Sequence, residues 1–259
     1  MDLLEAYRLI VQAASAGANV TSLADYFNAA LGGAPLPPDF QTLAEQAIAE
    51  ARRAYVLSLT LTAVGLALVL AAAFFAYKYR KTLIGWLWLK IWGRGKLRRG
   101  DGKPNTLLFD EEVSAVVVAI AVVAIALAAA YIISPGTGEP FSAIGLLGPQ
   151  GKIGGYPTTV KVGAPINLYI YVYNHMEAPA WFVVYVKVDN TTAQPPLSSP
   201  PVLVMQRLLL NNESWIQPFT VSLNSTGRWR IVAELWEYYP NGTLSYTGRF
   251  VQLWVNATR

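Results

Sequence analysis

The residue types that carry most enzymatic chemistry are scarce in this chain. It has one histidine, His175, and no cysteine. That excludes disulfides, thiolate metal sites, iron–sulfur ligation, cysteine nucleophiles and any site built from several histidines of one chain. His175 and Glu177 follow a tyrosine-rich run and precede Pro179, which places them on a turn. One imidazole and one carboxylate could form half of a metal or acid–base site. The favoured reading is local: Asn174 and His175 hydrogen-bond to hold the turn. The other acids beyond residue 134 are Glu139, Asp189, Glu213, Glu234 and Glu237, and Glu234 and Glu237 fall within one strand. None belongs to an Asp-rich calcium loop. The glycine-rich string GLLGPQGKIGG lacks phosphate-loop spacing and a strand–helix context, so it reads as a turn. Trp215, Trp229, Trp236, Tyr238, Tyr239 and Trp254 could form a saccharide platform, but such residues more often anchor cores and interfaces. No residue is assigned a catalytic, cofactor or metal role. The sequence predicts a chain that is not an enzyme and needs no cofactor.

The elements around these residues are set by composition. Of the 259 residues 54% are hydrophobic and 14% charged, against roughly 25% charged in a soluble domain. The deficit lies in two uncharged runs, Tyr55–Tyr77 and Val113–Ile133. About 20 apolar residues in a helix cross a hydrocarbon core about 30 Å thick, and a helix satisfies its own backbone there. Both runs are expected to span a membrane. Alanines four apart, such as Ala63, Ala67 and Ala71, allow close helix packing, though alanine is too common here to discriminate. Neither run holds an ionisable residue that would suggest an ion pathway.

The net charge of +4 gathers between the two runs, which argues for membrane topology rather than nucleic-acid binding. Lys78, Arg80, Lys81, Lys90, Arg94, Lys96, Arg98, Arg99 and Lys103 fill the connecting loop, whereas the N-terminal segment has only Arg8, Arg52 and Arg53. The positive-inside rule then places loop 78–112 in the cytoplasm and both termini outside. Trp86, Trp88 and Trp92, with Lys90, Arg94, Lys96, Arg98 and Arg99, suit an element lying in the cytoplasmic membrane interface. Glycosylation sequons agree: Asn19, Asn190, Asn212, Asn224, Asn241 and Asn256 all lie outside the loop. Residues 1–20 hold no apolar signal core, so either the first span translocates the N-terminal tail or an upstream signal has been removed.

Residues 1–54 read as an extracytoplasmic helical unit. Leu3, Leu4, Tyr7, Ile10 and Val11 recur at helical spacing with Gly17 as the stop, and a second helix is expected over about 21–31. A third starts near Asp39, where Thr42 and Glu45 have capping-box spacing, and runs into the first span. The unit has few large apolar residues, so it needs a partner or the C-terminal domain to pack on. After PGTGEP come seven β-rich runs bounded by Gly, Pro and Asn. Leu168, Ile170 and Val172 alternate with Tyr169, Tyr171 and Tyr173, the period of a strand. The expected fold class is therefore an α+β membrane protein: a helical unit (1–54), a first span (55–77), a basic cytoplasmic loop (78–112), a second span (113–133) and an extracytoplasmic immunoglobulin-like β-sandwich (134–259). The domain 139–259 is expected to fold alone as a monomer.

The strings LLGPQGKIGGYPTTVKVG (146–163), YVYNHMEAP (171–179), ESWIQPFTV (213–221) and FVQLWV (250–255) resemble the exported domain of an archaeal membrane-protein family of unknown function, number 1616. The resemblance covers residues 139–256. It implies an archaeal membrane protein with an exported β domain and no established activity. The chain departs from that pattern in its helical N-terminal unit, in having only two expected spans, and in Met176, which separates His175 from Glu177. The expected function is a non-catalytic, membrane-anchored structural or accessory subunit, whose sandwich docks on partner proteins of the envelope. The alternative is a substrate-binding accessory, for glycan or peptide, to an envelope enzyme or secretion machine. Expected partners are the lipid bilayer and membrane or envelope proteins, not nucleic acid.

Overall fold

A computed structural model describes residues 1–79, 123 and 139–259. The chain is mixed α+β, with three described helices followed by a two-sheet β-sandwich. Helix α1 (Leu3–Ser15) starts on Asp2, whose Oδ1 accepts the Glu5 N–H at 2.6 Å. It stops where Gly17 takes a φ of +80° and the Ala18 N–H closes back on the Ala13 carbonyl. Helix α2 (Thr21–Leu31) ends at Gly32. Helix α3 (Phe40–Lys78) is continuous over 39 residues, about 58 Å at ~1.5 Å per residue. Its first turn corrects one expectation. Thr42 lies inside the helix, the Leu43 N–H closes on the Asp39 carbonyl, and Glu45 accepts from the Gln41 amide rather than completing a capping box.

Among the described residues, α3 is the one helix long and apolar enough to cross a membrane, over Phe40–Val69. Several of its apolar side chains beyond Tyr55 are bare: Leu57, Leu61, Leu68 and Phe74 are each at least 60% exposed. Two such spans were expected. Apart from Val123, the second, 113–133, lies outside the described residues, and so do Trp86, Trp88, Trp92, Lys90, Arg94, Lys96, Arg98 and Arg99.

The chain divides into two compact units, residues 1–56 with 140–259, and residues 57–139. In the first unit, β1 (Phe141–Leu147), β3 (Pro165–His175) and β6 (Ser214–Ser222) form an antiparallel sheet in the order β1-β3-β6. The second sheet runs β2-β8-β7-β4-β5, from β2 (Thr159–Lys161), β8 (Leu244–Thr258), β7 (Gly227–Tyr238), β4 (Ala180–Asp189) and β5 (Leu203–Leu209). Its pairs are antiparallel except β2 with β8. Alternation builds the core. Ile166, Leu168, Ile170 and Val172 face Phe182, Val184, Val186, Ile231 and Leu235, all buried.

Seven strands were expected and eight are present, because β1 (FSAIGLL) reads as part of the glycine-rich turn. The turn itself begins only at Gly148, where a Cβ would sit 2.1 Å from the Gly154 carbonyl oxygen. There the Gly148 N–H bonds the Lys152 carbonyl at 2.8 Å and the Tyr156 hydroxyl caps Leu146 O at 2.7 Å.

The helices and the sandwich share a second core. Tyr7, Phe27, Phe40 and Ala44 pack with Trp181 of β4 and Leu208 of β5. Trp181 stacks on Tyr238 at 4.2 Å and meets Phe27 edge-on at 5.2 Å. Burial pushes the Tyr7 phenol up to about 12, with Glu237 and Tyr239 adding to the shift. The Asn28 side chain behaves as a short strand. Its Nδ2 donates to Leu208 O at 3.0 Å and its Oδ1 accepts the Leu208 N–H at 2.8 Å, so part of the β5 edge is covered.

Candidate interaction surface

The turn after β3 is held as a local network. The Asn174 side chain is fully buried; its Nδ2 donates to Ala178 O at 2.8 Å and Leu209 O at 2.9 Å, and its Oδ1 accepts the Met176 N–H. His175 Nδ1 lies 2.6 Å from Asn212 Oδ1, a contact that requires Nδ1 to carry a proton. The Tyr173 hydroxyl donates to the same oxygen at 3.2 Å. Glu177 is exposed with a φ of +60°, and its N–H bonds Asn211 Oδ1. The structure therefore brings His175 to Asn212 rather than to Glu177. Among the described residues no cluster of three His, Asp or Glu could hold a metal.

The charged residues that are organised lie elsewhere, under the outer face of the five-stranded sheet. Lys187 Nζ meets Glu234 Oε2 at 3.0 Å with side-chain exposures of 6% and 0%. The Leu197 N–H donates to Glu234 Oε1 at 2.6 Å, while Lys187 donates to Leu197 O at 2.5 Å. Arg230 Nη2 reaches Asp189 Oδ2 and the Ala193 carbonyl, both at 2.9 Å. Burial works against ionising Asp189, but hydrogen bonds from Thr191, Arg230 and Asn190 hold its carboxyl below the usual range. Together these pairs pin the loop 190–202 against the sheet. None of these contacts was anticipated from sequence.

The aromatic residues of the candidate saccharide platform are dispersed. Trp215 is in the inter-sheet core, Tyr238 lies under Trp181, and Trp254 is covered by Arg228 at 4.6 Å. Trp229 and Trp236 spend their N–H groups on Ser225 O and Glu234. A different aromatic set shares one open face. The register pairs Phe141 with His175, Gly145 with Tyr171 and Leu147 with Tyr169 across β1 and β3, and Tyr171 with Ile216 and Tyr169 with Pro218 across β3 and β6. These residues are on the outer side of the three-stranded sheet, because Leu168, Ile170 and Val172 are inside. The tyrosines are half-buried by their neighbours, while Phe141 is 41% and Ile216 53% exposed. The outer positions of all three strands carry no Asp, Glu, Lys or Arg. The signal was in the sequence: the Tyr169–Tyr171–Tyr173 alternation that defines β3 also defines this face.

All six sequon asparagines, Asn19, Asn190, Asn212, Asn224, Asn241 and Asn256, are exposed. Asn212 sits at the rim of the tyrosine face through its bonds to Tyr173 and His175. Asn256 alone of the six lies within a strand, β8.

Fold and surface define a helix-covered β-sandwich joined to a long apolar helix. Residues 135–256 match the family described as Domain of unknown function (DUF1616), so the C-terminal half carries that domain. No curated protein matches the chain. Among solved structures, the sandwich is similar to the CARDB domain of the PF1109 protein from Pyrococcus furiosus, solved in complex with di-metal ions. Identity is 15%, coverage is 46% of this chain and 89% of that one, and the TM-score is 0.32. A β-glucosidase from Listeria innocua in complex with glucose is 12% identical with a TM-score of 0.33, over 48% of this chain and 17% of that enzyme.

Proposed function

We propose that the chain is a non-catalytic, membrane-anchored accessory subunit of an archaeal cell envelope, whose sandwich docks through the tyrosine face on a partner protein. The apolar surface of α3 from Tyr55 onward supports anchoring. The charge bias of loop 78–112 supports a cytoplasmic loop with both termini outside. The observation that carries the docking is the contrast between the two outer faces of the sandwich. Helices and the 190–202 loop cover much of the five-stranded sheet. The three-stranded sheet presents Phe141, Leu147, the three tyrosines, Ile216 and Pro218 without a charge among them. Depletion of charge with enrichment of aromatics is the composition of an interface centre.

The substrate-binding alternative has the same face bind a glycan, but its rings engage one another. Phe141 packs on His175 at 4.9 Å, and Tyr173 stacks on His175 at 6.1 Å. That is closer to a continuous apolar surface than to separate saccharide platforms. The test compares the full chain, extracted gently from its native membrane, with a Tyr171→Arg/Ile216→Arg variant. The wild type should travel with a second polypeptide at fixed ratio, and the variant should travel alone with an unchanged melting temperature. A particle whose composition ignores the substitutions would refute the reading, as would a single-chain particle with turnover lost in His175→Ala.

A further inference from the structure

A cavity of about 540 Å³ lies where α1 meets α3, lined by Gln12, Ser15, Ile48, Arg52, Tyr55 and Val56. That volume falls within the range of about 300–1,000 Å³ typical of small-ligand sites. We propose that it holds the phosphate group of a membrane phospholipid. The inference rests on the reading of α3 as a membrane anchor. Chemistry and position both point there. Arg52 is exposed, and the ion pairs among the described residues, Lys187–Glu234, Arg207–Glu213 and Arg230–Asp189, do not include it. A guanidinium offers a planar fork of N–H donors that suits phosphate oxygens. The Gln12 amide and the Tyr55 phenol are further polar groups in the wall, and no carboxylate lines the cavity.

The C-terminal end of α1 would repel an anion if its carbonyls were open. Here the N–H groups of Ala16, Gly17 and Ala18 close on the carbonyls of Gln12, Ala13 and Ala14. Position completes the case. Arg52 is one turn before Val56, and Val56 is 60% exposed at the start of the uncharged stretch of α3. A phosphate held at Arg52 would leave the start of its acyl chains beside the Tyr55 and Val56 side chains. Tyrosine at the same level is the residue expected at headgroup depth.

The full chain in maltoside micelles is titrated with phosphatidylglycerol, with diacylglycerol of the same chains, and with inorganic phosphate, and bound ligand is counted by native mass spectrometry. Wild type should retain one phosphatidylglycerol more tightly than the rest. Arg52→Gln should weaken that site about tenfold, the loss of one charge-assisted contact, and Arg53→Gln should leave it unchanged. Diacylglycerol should not distinguish wild type from Arg52→Gln. Equal affinity in wild type and Arg52→Gln overturns the site, and so does equal affinity for the two lipids. Inorganic phosphate displacing the lipid at comparable concentration assigns the cavity to a free anion and overturns the lipid source. Anchoring is read separately, by alkaline extraction of chain reconstituted in phosphatidylglycerol vesicles. Release refutes the span; retention with an unchanged Arg52→Gln refutes only the site.

Discussion

Replacing Lys187 by methionine should cost the helix-and-sandwich unit far more than replacing both Lys187 and Glu234. The pair is 3.0 Å apart, and Glu234 has no exposed side-chain surface. Without Lys187 the carboxylate keeps the Leu197 N–H at 2.6 Å and Trp236 Nε1 at 3.2 Å but loses the cation paired with it. Removing one partner of a buried pair costs about 3–5 kcal/mol, because an uncompensated charge is left in a medium that solvates it poorly. Methionine preserves the aliphatic stem, so little of that cost would be a cavity. In Lys187→Met/Glu234→Gln no charge remains. The deficits left are the Leu197 carbonyl without its ammonium donor and an amide with a single acceptor oxygen for the two N–H groups of Leu197 and Trp236, together about 2–3 kcal/mol. For a unit of this size about 2–4 °C of melting temperature accompanies each kcal/mol. The single variant should therefore melt roughly 6–20 °C below wild type and the double roughly 4–12 °C below. Thermal scans of the full chain in detergent, followed by near-ultraviolet circular dichroism, read both. The difference should also survive molar salt, since buried charges are screened little. A double variant no more stable than the single would refute the coupling, and a gap that closes in salt would place the pair in solvent.

Two further predictions concern the covered side of the sandwich. Burial raises the Glu237 carboxyl above its usual range, so the folded state binds its proton more tightly than the unfolded chain. Wild-type stability then falls as pH rises from the ordinary carboxylate value through the folded one. Glu237→Gln should melt higher than wild type at neutral pH, and the gain should vanish near pH ~4, where both states are protonated; an equal gain at both values would refute it. Asn28→Leu removes both side-chain bonds to the Leu208 backbone, which should cost about 2–3 kcal/mol and speed exchange of the Leu208 amide in particular. Uniform acceleration across β5 would show instead that the edge opens as a whole.

Much of the fold is legible in the sequence because local signals and tertiary demands coincide. Helix α2 occupies Thr21–Leu31 as the break at Gly32-Gly33 suggests, and β3 follows its Leu–Tyr–Ile–Tyr–Val–Tyr alternation. Strand β1 is hidden because Gly145 and the Gly148–Gly155 string share one composition, although only the second is a turn. The buried ion pairs are hidden for a different reason. Lys187, Asp189, Arg230 and Glu234 occupy outer positions of β4 and β7, where charge ordinarily signals solvent. Only the loop 190–202 folding back over them makes them interior, and nothing local in that proline- and serine-rich stretch announces it. The helical unit is similar. Its shortage of large side chains shows that it must lean on something, but that its support is Trp181 and Leu208 depends on contacts more than 150 residues away in sequence.

Those covered charges and the bare tyrosine face follow from one physical rule. A sheet face that carries Lys, Glu, Arg and Asp can be covered only if each charge finds a partner beneath the cover, and β4 and β7 meet that condition with 2.9–3.0 Å pairs. A face without charges needs no such pairing, so any apolar surface of matching shape can cover it at little desolvation cost. The Phe141–Tyr171–Ile216 face meets that second condition, yet no described element of the chain covers it. Substituting arginine at Tyr171 and Ile216 would turn the second condition into the first, with no partner provided for the new charges. For that reason the Tyr171→Arg/Ile216→Arg variant is expected to lose assembly while keeping its fold: on an exposed face the guanidinium groups are solvated, and they become costly only when something is laid over them.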